Sequence, residues 1–315
     1  MNETGAARGR RVRIGTASWT DPTLLRSGWY PPEVKTAEQR LQYYASRFPL
    51  VEVDSSYYSL PSERNAALWA ERTPPSFTFN IKAFALLTAH GAPPERLPAT
   101  IRDSLPPEQL EGKRNVYLRD LPEPAQRWIW DAFQSALEPL RRAGKLGAVL
   151  FQFPPWFHLS KGNRDYIARC RELLPRDRLA VEFRNASWLA DRHASETFRF
   201  LADLDLVYVC VDEPQGFRSS VPLITAVTNP ELAVLRLHGR NAENWAKKDV
   251  GVTERFRYLY SDAELQELLP RVRELAAEAR ETHVVFNNCY SDYGVRNAAR
   301  LSELLEGLGV ASQTE

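Results

Sequence analysis

Short runs of this chain alternate between apolar and polar residues, and stretches with helical periodicity separate them. The clearest run, Leu179-Ala180-Val181-Glu182-Phe183, predicts a buried strand. Side chains along a strand point alternately to its two faces. Leu179, Val181 and Phe183 therefore make one apolar face, while Glu182 and Arg184 share the other near the strand's C-terminal end. Seven more strands are predicted at 12–17, 50–54, 77–82, 149–153, 206–212, 233–238 and 283–288. Several repeat the arrangement. Glu52 and Asp54 share a face of the second strand, Asn80 and Lys82 of the third, and Arg236 and His238 of the seventh. The fourth offers Gln152 and the sixth Asp212, which with Glu213 reads as a ligand pair or a turn start. The eighth is ambiguous between Asn287 and Asn288.

Helical spacing fills most gaps. Thr36-Ala37-Glu38-Gln39 and Ser261-Asp262-Ala263-Glu264 have the spacing of a capping box, in which the first side chain caps the helix and the fourth reaches back. Pro61-Ser62-Glu63 opens a helix through Leu68 and Trp69, and further helices are predicted over 127–142, 191–204 and 295–306. Gly144 and Gly307 are natural stops. Only the sixth-to-seventh connection lacks a clear helix.

Eight strands alternating with helices fit either an open doubly wound sheet or a closed barrel. The polar strand ends favour the barrel. An open sheet would bury them under helices, at several kcal/mol each if unpaired. A barrel directs them into its mouth. The expected fold class is α/β: a single (β/α)8 TIM-type barrel over 12–310, with a long insertion after strand three. The gap from Ala83 to Ala148 spans 66 residues, and 91–126 holds seven prolines. Residues 83–126 are accordingly expected as an insertion, either a lid over the mouth or a solvated ornament. Residues 1–11 read as a polar, disordered leader and 311–315 as a tail.

Charge changes the picture little. The 41 basic and 40 acidic residues leave a formal net charge of +1, without the global excess expected of a tight, sequence-independent nucleic-acid binder. Cys170, Cys210 and Cys289 have no metal-ligand spacing and read as free thiols in a reducing compartment. No apolar run is long enough to span a bilayer. The expectation is a soluble, cytoplasmic protein with no membrane partner.

Seven segments also match a known family in order. They are Ile14-Gly15-Thr16-Ala17-Ser18-Trp19 with Trp29-Tyr30-Pro31, Val51 to Ser62, Phe79 to Ala83, Leu150 to Pro155, Ala180 to Trp188, Leu235 to Arg240, and Phe286-Asn287-Asn288. Together they resemble the domain-of-unknown-function-72 family, the YecE-like proteins, across nearly the whole chain. The resemblance implies a TIM-type barrel and no particular activity. The chain departs from the family pattern at Asp54, where a carboxamide is usual, at Thr88-Ala89-His90, where Thr-His is usual, and in a longer excursion from Gly91.

In such a barrel the C-terminal strand ends carry the chemistry. Glu182 and Glu52 are the acid/base candidates and His238 a proton shuttle. Lys82, Arg184, Arg236 and Arg240 suit a phosphate or carboxylate, with guanidinium forks making paired hydrogen bonds. Gln152, Asn288 and the aromatics Trp19, Tyr57 and Trp188 are candidate substrate contacts, although each ring equally suits packing of loops onto the rim. His90 reads as a lid residue or an ordinary loop histidine.

The favoured function is an enzyme acting on a small anionic or phosphorylated substrate, with hydrolysis as the working label and elimination or isomerisation open. One alternative is a metal-dependent phosphoesterase or endonuclease-like barrel. It would use a divalent ion on Asp54, Asp212, Glu52, Glu182 and His238, but Lys82 and Arg184 would compete for those carboxylates. No cofactor is favoured. Another alternative is a non-catalytic barrel that binds a ligand or nucleic acid. A structural plug of mutually paired charges is the plain alternative to all of these.

Overall fold

A computed structural model of the protein describes residues 10–307 except 218 and 248, without the side chain of Val252. Of the expected leader at 1–11, residues 1–9 fall outside the described residues, as does the tail at 311–315, while Arg11 already opens the first strand. Eight parallel strands close into a barrel in sequential order: β1 Arg11–Thr16, β2 Leu50–Val53, β3 Thr78–Lys82, β4 Leu146–Gln152, β5 Leu179–Glu182, β6 Val207–Asp212, β7 Leu232–Leu237 and β8 Glu281–Phe286. β8 closes onto β1, from Arg11 opposite Glu281 to Thr16 opposite Phe286.

Alternation assigns the faces. Phe79 packs on Trp69 and Phe151 on Trp130, so these positions face the helical layer. The intervening Glu52, Lys82, Gln152, Glu182 and Arg236 therefore face the lumen. Lower in the barrel, Asn80 Oδ1 accepts the Ala148 backbone N–H and faces His283 Nδ1, each at 3.0 Å. The ladder slips between Phe79 and Ile81, and the Asn80 side chain supplies an acceptor where the slip disturbs the pairing. Gly147 lies alongside. A Cβ there would come within 2.6 Å of Asn80 Oδ1 and Thr78 Cγ2.

The helices follow their capping signals. Thr36 and Ser261 each close a full capping box, with Gln39 and Glu264. The helix after the long third connection runs Glu123–Arg142 and so begins four residues before the predicted 127. Pro122 and Pro124 explain the earlier start, because the first turn needs no N–H donors. A helix over Lys161–Leu173 joins β4 to β5, capped by the Ser160 side chain. Between β6 and β7 no helix occurs among the described residues.

The third connection has its own packed interior. Leu97, Ile101, Leu105, Val116, Leu118 and Leu121 are buried within the main hydrophobic core. Ala92 and Val116 form an isolated antiparallel bridge that ties the excursion's two arms together. Its first turn, Ala85–Thr88, is wholly buried and delivers His90 to the C-terminal end of the barrel. Among the described residues no helix is long and apolar enough to cross a membrane.

Candidate active site

Arg236 is the centre of the barrel mouth. Its side chain is fully buried, and its guanidinium bridges two strands. Nε and Nη2 donate to Glu52 Oε2 and Oε1 at 3.0 and 2.6 Å, and Nη1 donates to Glu182 Oε2. Three charges buried in one place would cost several kcal/mol each without such pairing. Glu182 takes further donors: Gln152 Nε2 at 2.6 Å, His238 Nε2 at 3.0 Å and Arg184 Nη1 at 3.4 Å, all on Oε1. His238 Nδ1 meets Asn287 Nδ2 at 2.7 Å. That amide nitrogen is a donor, so Nδ1 accepts and the proton sits on Nε2, facing Glu182.

The surroundings push the two carboxyls apart. Burial raises Glu52, against the pull of Arg236 and Lys82. Burial also pushes Glu182 up, but Arg236, His238 and Arg184 together hold it well below the usual carboxylate range. Burial dominates for His238 and brings it down to about 3. His238 is therefore neutral at ordinary pH.

A second tier lies nearer solvent. Lys82 Nζ donates to Asp54 Oδ1 at 2.7 Å and stands 4.8 Å from the centroid of the Tyr57 ring. Arg184 lies over the Trp245 ring at 4.8 Å, with Nη1 also 3.1 Å from Glu213 Oε2. Trp245 is buried, and its indole N–H has no hydrogen-bond partner among the described residues. Glu213 Oε1 accepts the Val221 N–H at 2.8 Å. Burial raises Glu213 to about 7; Arg184 and the Val221 N–H oppose the rise, while Glu182 and Asp212 add to it.

His90 packs edge-on against Tyr57 and Trp156. The Thr88 hydroxyl donates its one proton to the Ala85 carbonyl at 3.0 Å, so at 2.9 Å it accepts from His90 Nδ1–H. Nε2 is left as a bare acceptor. Burial, then Lys82 and more weakly Arg184, push His90 down to about 3, so the ring is neutral.

Of the residues named from sequence, the barrel brings together Glu52, Asp54, Lys82, Gln152, Glu182, Arg184, Arg236 and His238, with Tyr57 at the edge. Five lie elsewhere. Asp212 is on the outer face, where its carboxylate meets Arg240 Nε at 3.0 Å and Tyr260 OH at 2.6 Å. Arg240 is spent on Asp212 and on Glu267 at 3.2 Å. Asn288 also points outward, donating to the Tyr258 carbonyl and to Asn297 Oδ1. Trp19 packs edge-on against Trp69 and Phe79. Trp188 is stacked on Phe183 and Phe157, and its indole N–H caps the Phe157 carbonyl. These two tryptophans are core.

Parity is the physical reason for the corrections at Asp212 and Asn288. On β6 the lumen receives Val207, Val209, Val211 and then Glu213; on β8 it receives His283, Val285 and Asn287. Trp245 and Phe256, which flank His238 at 6.3 and 5.8 Å, come from the β7–β8 connection and were not among the residues singled out. The metal set fares poorly as ligands, since Asp54 is held by Lys82, Asp212 by Arg240, and Glu52 and Glu182 by Arg236. Among the described residues no group of three or more His, Cys, Asp or Glu is placed to hold an ion.

A family model described as protein of unknown function DUF72 matches residues 13–314. UPF0759 protein YunF of Bacillus subtilis (strain 168) is 32% identical over 299 residues, covering 94% of this chain and 95% of that relative. A solved DUF72 family protein from Thermotoga maritima MSB8 is 31% identical with a TM-score of 0.73, covering 94% of this chain and 99% of the other. Another from Enterococcus faecalis V583 is 27% identical with a TM-score of 0.76, covering 94% and 95%.

Proposed function

The chain belongs to the DUF72 family, and from the geometry of its barrel mouth we propose that it is an enzyme using acid/base chemistry on a small anionic or phosphorylated substrate. The observation that carries this reading is the pair of cations at the mouth, Lys82 and Arg184 from the ends of β3 and β5: Lys82 stands over the Tyr57 ring against which His90 packs, and Arg184 lies over the Trp245 ring. Two cations at a mouth that also carries a bare imidazole nitrogen suit a bound oxyanion with a proton acceptor available. Trp245, whose ring carries Arg184, adds a buried N–H that has no partner among the described residues.

The acid/base roles fall on groups with free valence. Glu52, Glu182 and His238 are taken up by their hydrogen bonds to one another and to Arg236, so we assign them to positioning. Glu182 holds Arg184, and the Asn287–His238–Glu182 chain holds Glu182. Glu213, ionising near neutral pH beside Arg184, is the proton donor or acceptor that can change state during turnover. His90 Nε2 is the second candidate base. The first part of the insertion, which carries His90, serves as one wall of the site.

Thermal unfolding of the wild type, Lys82→Ala and Arg184→Ala against phosphosugars, nucleotides and dicarboxylates tests the reading. A compound that binds only the folded state raises the midpoint. A rise in the wild type that both variants lose supports the oxyanion site. A response to divalent cations alone would replace it with a metal-dependent chemistry.

A further inference from the structure

We propose that the opposite, N-terminal end of the barrel is a second anion site, for a phosphate-bearing small molecule. This end holds a cavity of about 650 Å³, well inside the range of roughly 300–1,000 Å³ typical of small-ligand sites. It is built from the starts of β1, β3, β4 and β8 and the turns before β4 and β5.

Five arginines line it: Arg11, Arg13, Arg141, Arg176 and Arg178. The only carboxylates in its lining are Asp177 and Glu281. Glu138, just outside the lining, takes Arg141 and Arg176 at 3.1 Å each, so five positive charges meet three carboxylates, an excess of two, whereas the whole chain carries +1. The two lining carboxylates are also already committed. Asp177 takes a two-pronged contact from Arg141, with Nε at 2.7 Å and Nη2 at 2.6 Å. Glu281 serves Arg13, His283 at 3.2 Å and Arg178 at 3.8 Å at once. Burial pushes Glu281 up, but His283 and Arg13 overcome it and hold the carboxyl far below its ordinary range.

The guanidinium donors are less fully used. Arg11 forms no ion pair among the described residues. Arg178 has only the 3.8 Å contact with Glu281 and stays 41% exposed at its side chain. Arg13 is nearly buried and fixed by Glu281 and the Ser76 carbonyl, the latter at 2.7 Å. One rigid buried fork with two freer ones at the rim suits a phosphate group, whose oxygens accept from paired guanidinium N–H groups. The plain alternative is that the arginines only brace the barrel's base.

Calorimetric titration with inorganic pyrophosphate, and separately with adenosine diphosphate, distinguishes the two. The expected result is saturable binding that weakens at least ten-fold in the double variant Arg11→Ala/Arg178→Ala. Lys82→Ala/Arg184→Ala at the far mouth, which removes any binding there, should leave this base site's share unchanged. Tighter binding of the nucleotide than of pyrophosphate would show that the cavity also holds a nucleoside. If the double variant does not fold, Arg11→Glu alone reads the same contact from an exposed position. No heat from either compound, binding indifferent to Arg11 and Arg178, or binding lost only in the mouth variant would overturn the proposal. The last result would leave the mouth reading standing.

Discussion

Glu182 and His238 share a 3.0 Å hydrogen bond that fixes which imidazole nitrogen carries the proton. Asn287 blocks the other nitrogen as a donor, so His238 is the Nε2–H tautomer, neutral, with its ionisation lowered to about 3. His90 is the opposite tautomer, protonated on Nδ1 and likewise lowered to about 3. Nitrogen-15 spectra at pH 5 should show two neutral imidazoles of opposite tautomer, assigned by His90→Asn and His238→Asn. Both groups are lowered from an ordinary 6.5, so the unfolded chain binds more protons between pH 3 and 6.5. Their contribution to stability is complete above pH 6.5 and is lost as the pH falls through that window. Protonated rings at pH 5 would contradict the assignment.

Glu213 works in the other direction. Its folded-state ionisation is raised from 4.5 to about 7, so the folded chain holds the extra proton between these values. The associated stability is present below about pH 4.5 and declines as the pH rises through 7, by up to about 3 kcal/mol. Glu213→Gln keeps the shape and removes the titration. Urea unfolding at pH 5 and pH 8 should show the variant gaining on the wild type at the higher pH. Parallel pH profiles would mean that Glu213 is ionised throughout.

Glu182→Gln should be severely destabilising. The carboxylate oxygens accept from Arg236, His238, Gln152 and Arg184, and an amide nitrogen in place of either oxygen would face a donor. Breaking a buried ion network from one side costs about 3–5 kcal/mol. Denaturant midpoints measure this directly. A loss under about 1 kcal/mol, the range of exposed ion pairs, would show that water reaches the network.

The fold was legible because the barrel depends on features that the chain states locally. Apolar alternation marked all eight strands, and the Thr36 and Ser261 capping boxes marked two helix starts. Glu52, Lys82, Glu182 and Arg236 were legible for the same reason, since each lies inside a strand where the period of two is unbroken. Asp212 and Asn288 were misplaced where that period runs out. One residue at a strand end decides between lumen and helical layer, and the sequence pattern does not mark the last ladder position. Trp245 and Phe256 were missed because they sit on a loop, where no periodicity links them to the strands they cover. Trp19 and Trp188 looked like mouth aromatics from position alone. Only their ring partners, Trp69 and Phe183 among them, show that they are core.

The most direct test of the mouth is equilibrium binding of inorganic phosphate to the wild type, Lys82→Met and Arg184→Met, followed by phosphorus NMR at low salt. Both substitutions keep much of the aliphatic bulk and remove only the charge. With the barrel-base site silenced by Arg11→Ala/Arg178→Ala in all three proteins, an oxyanion site held by both residues predicts saturable binding, weakened about ten-fold or more by each substitution, as loss of a charge-assisted contact implies. Phosphate binding undiminished by Lys82→Met and Arg184→Met in that background would contradict it and leave the charged mouth as a structural plug.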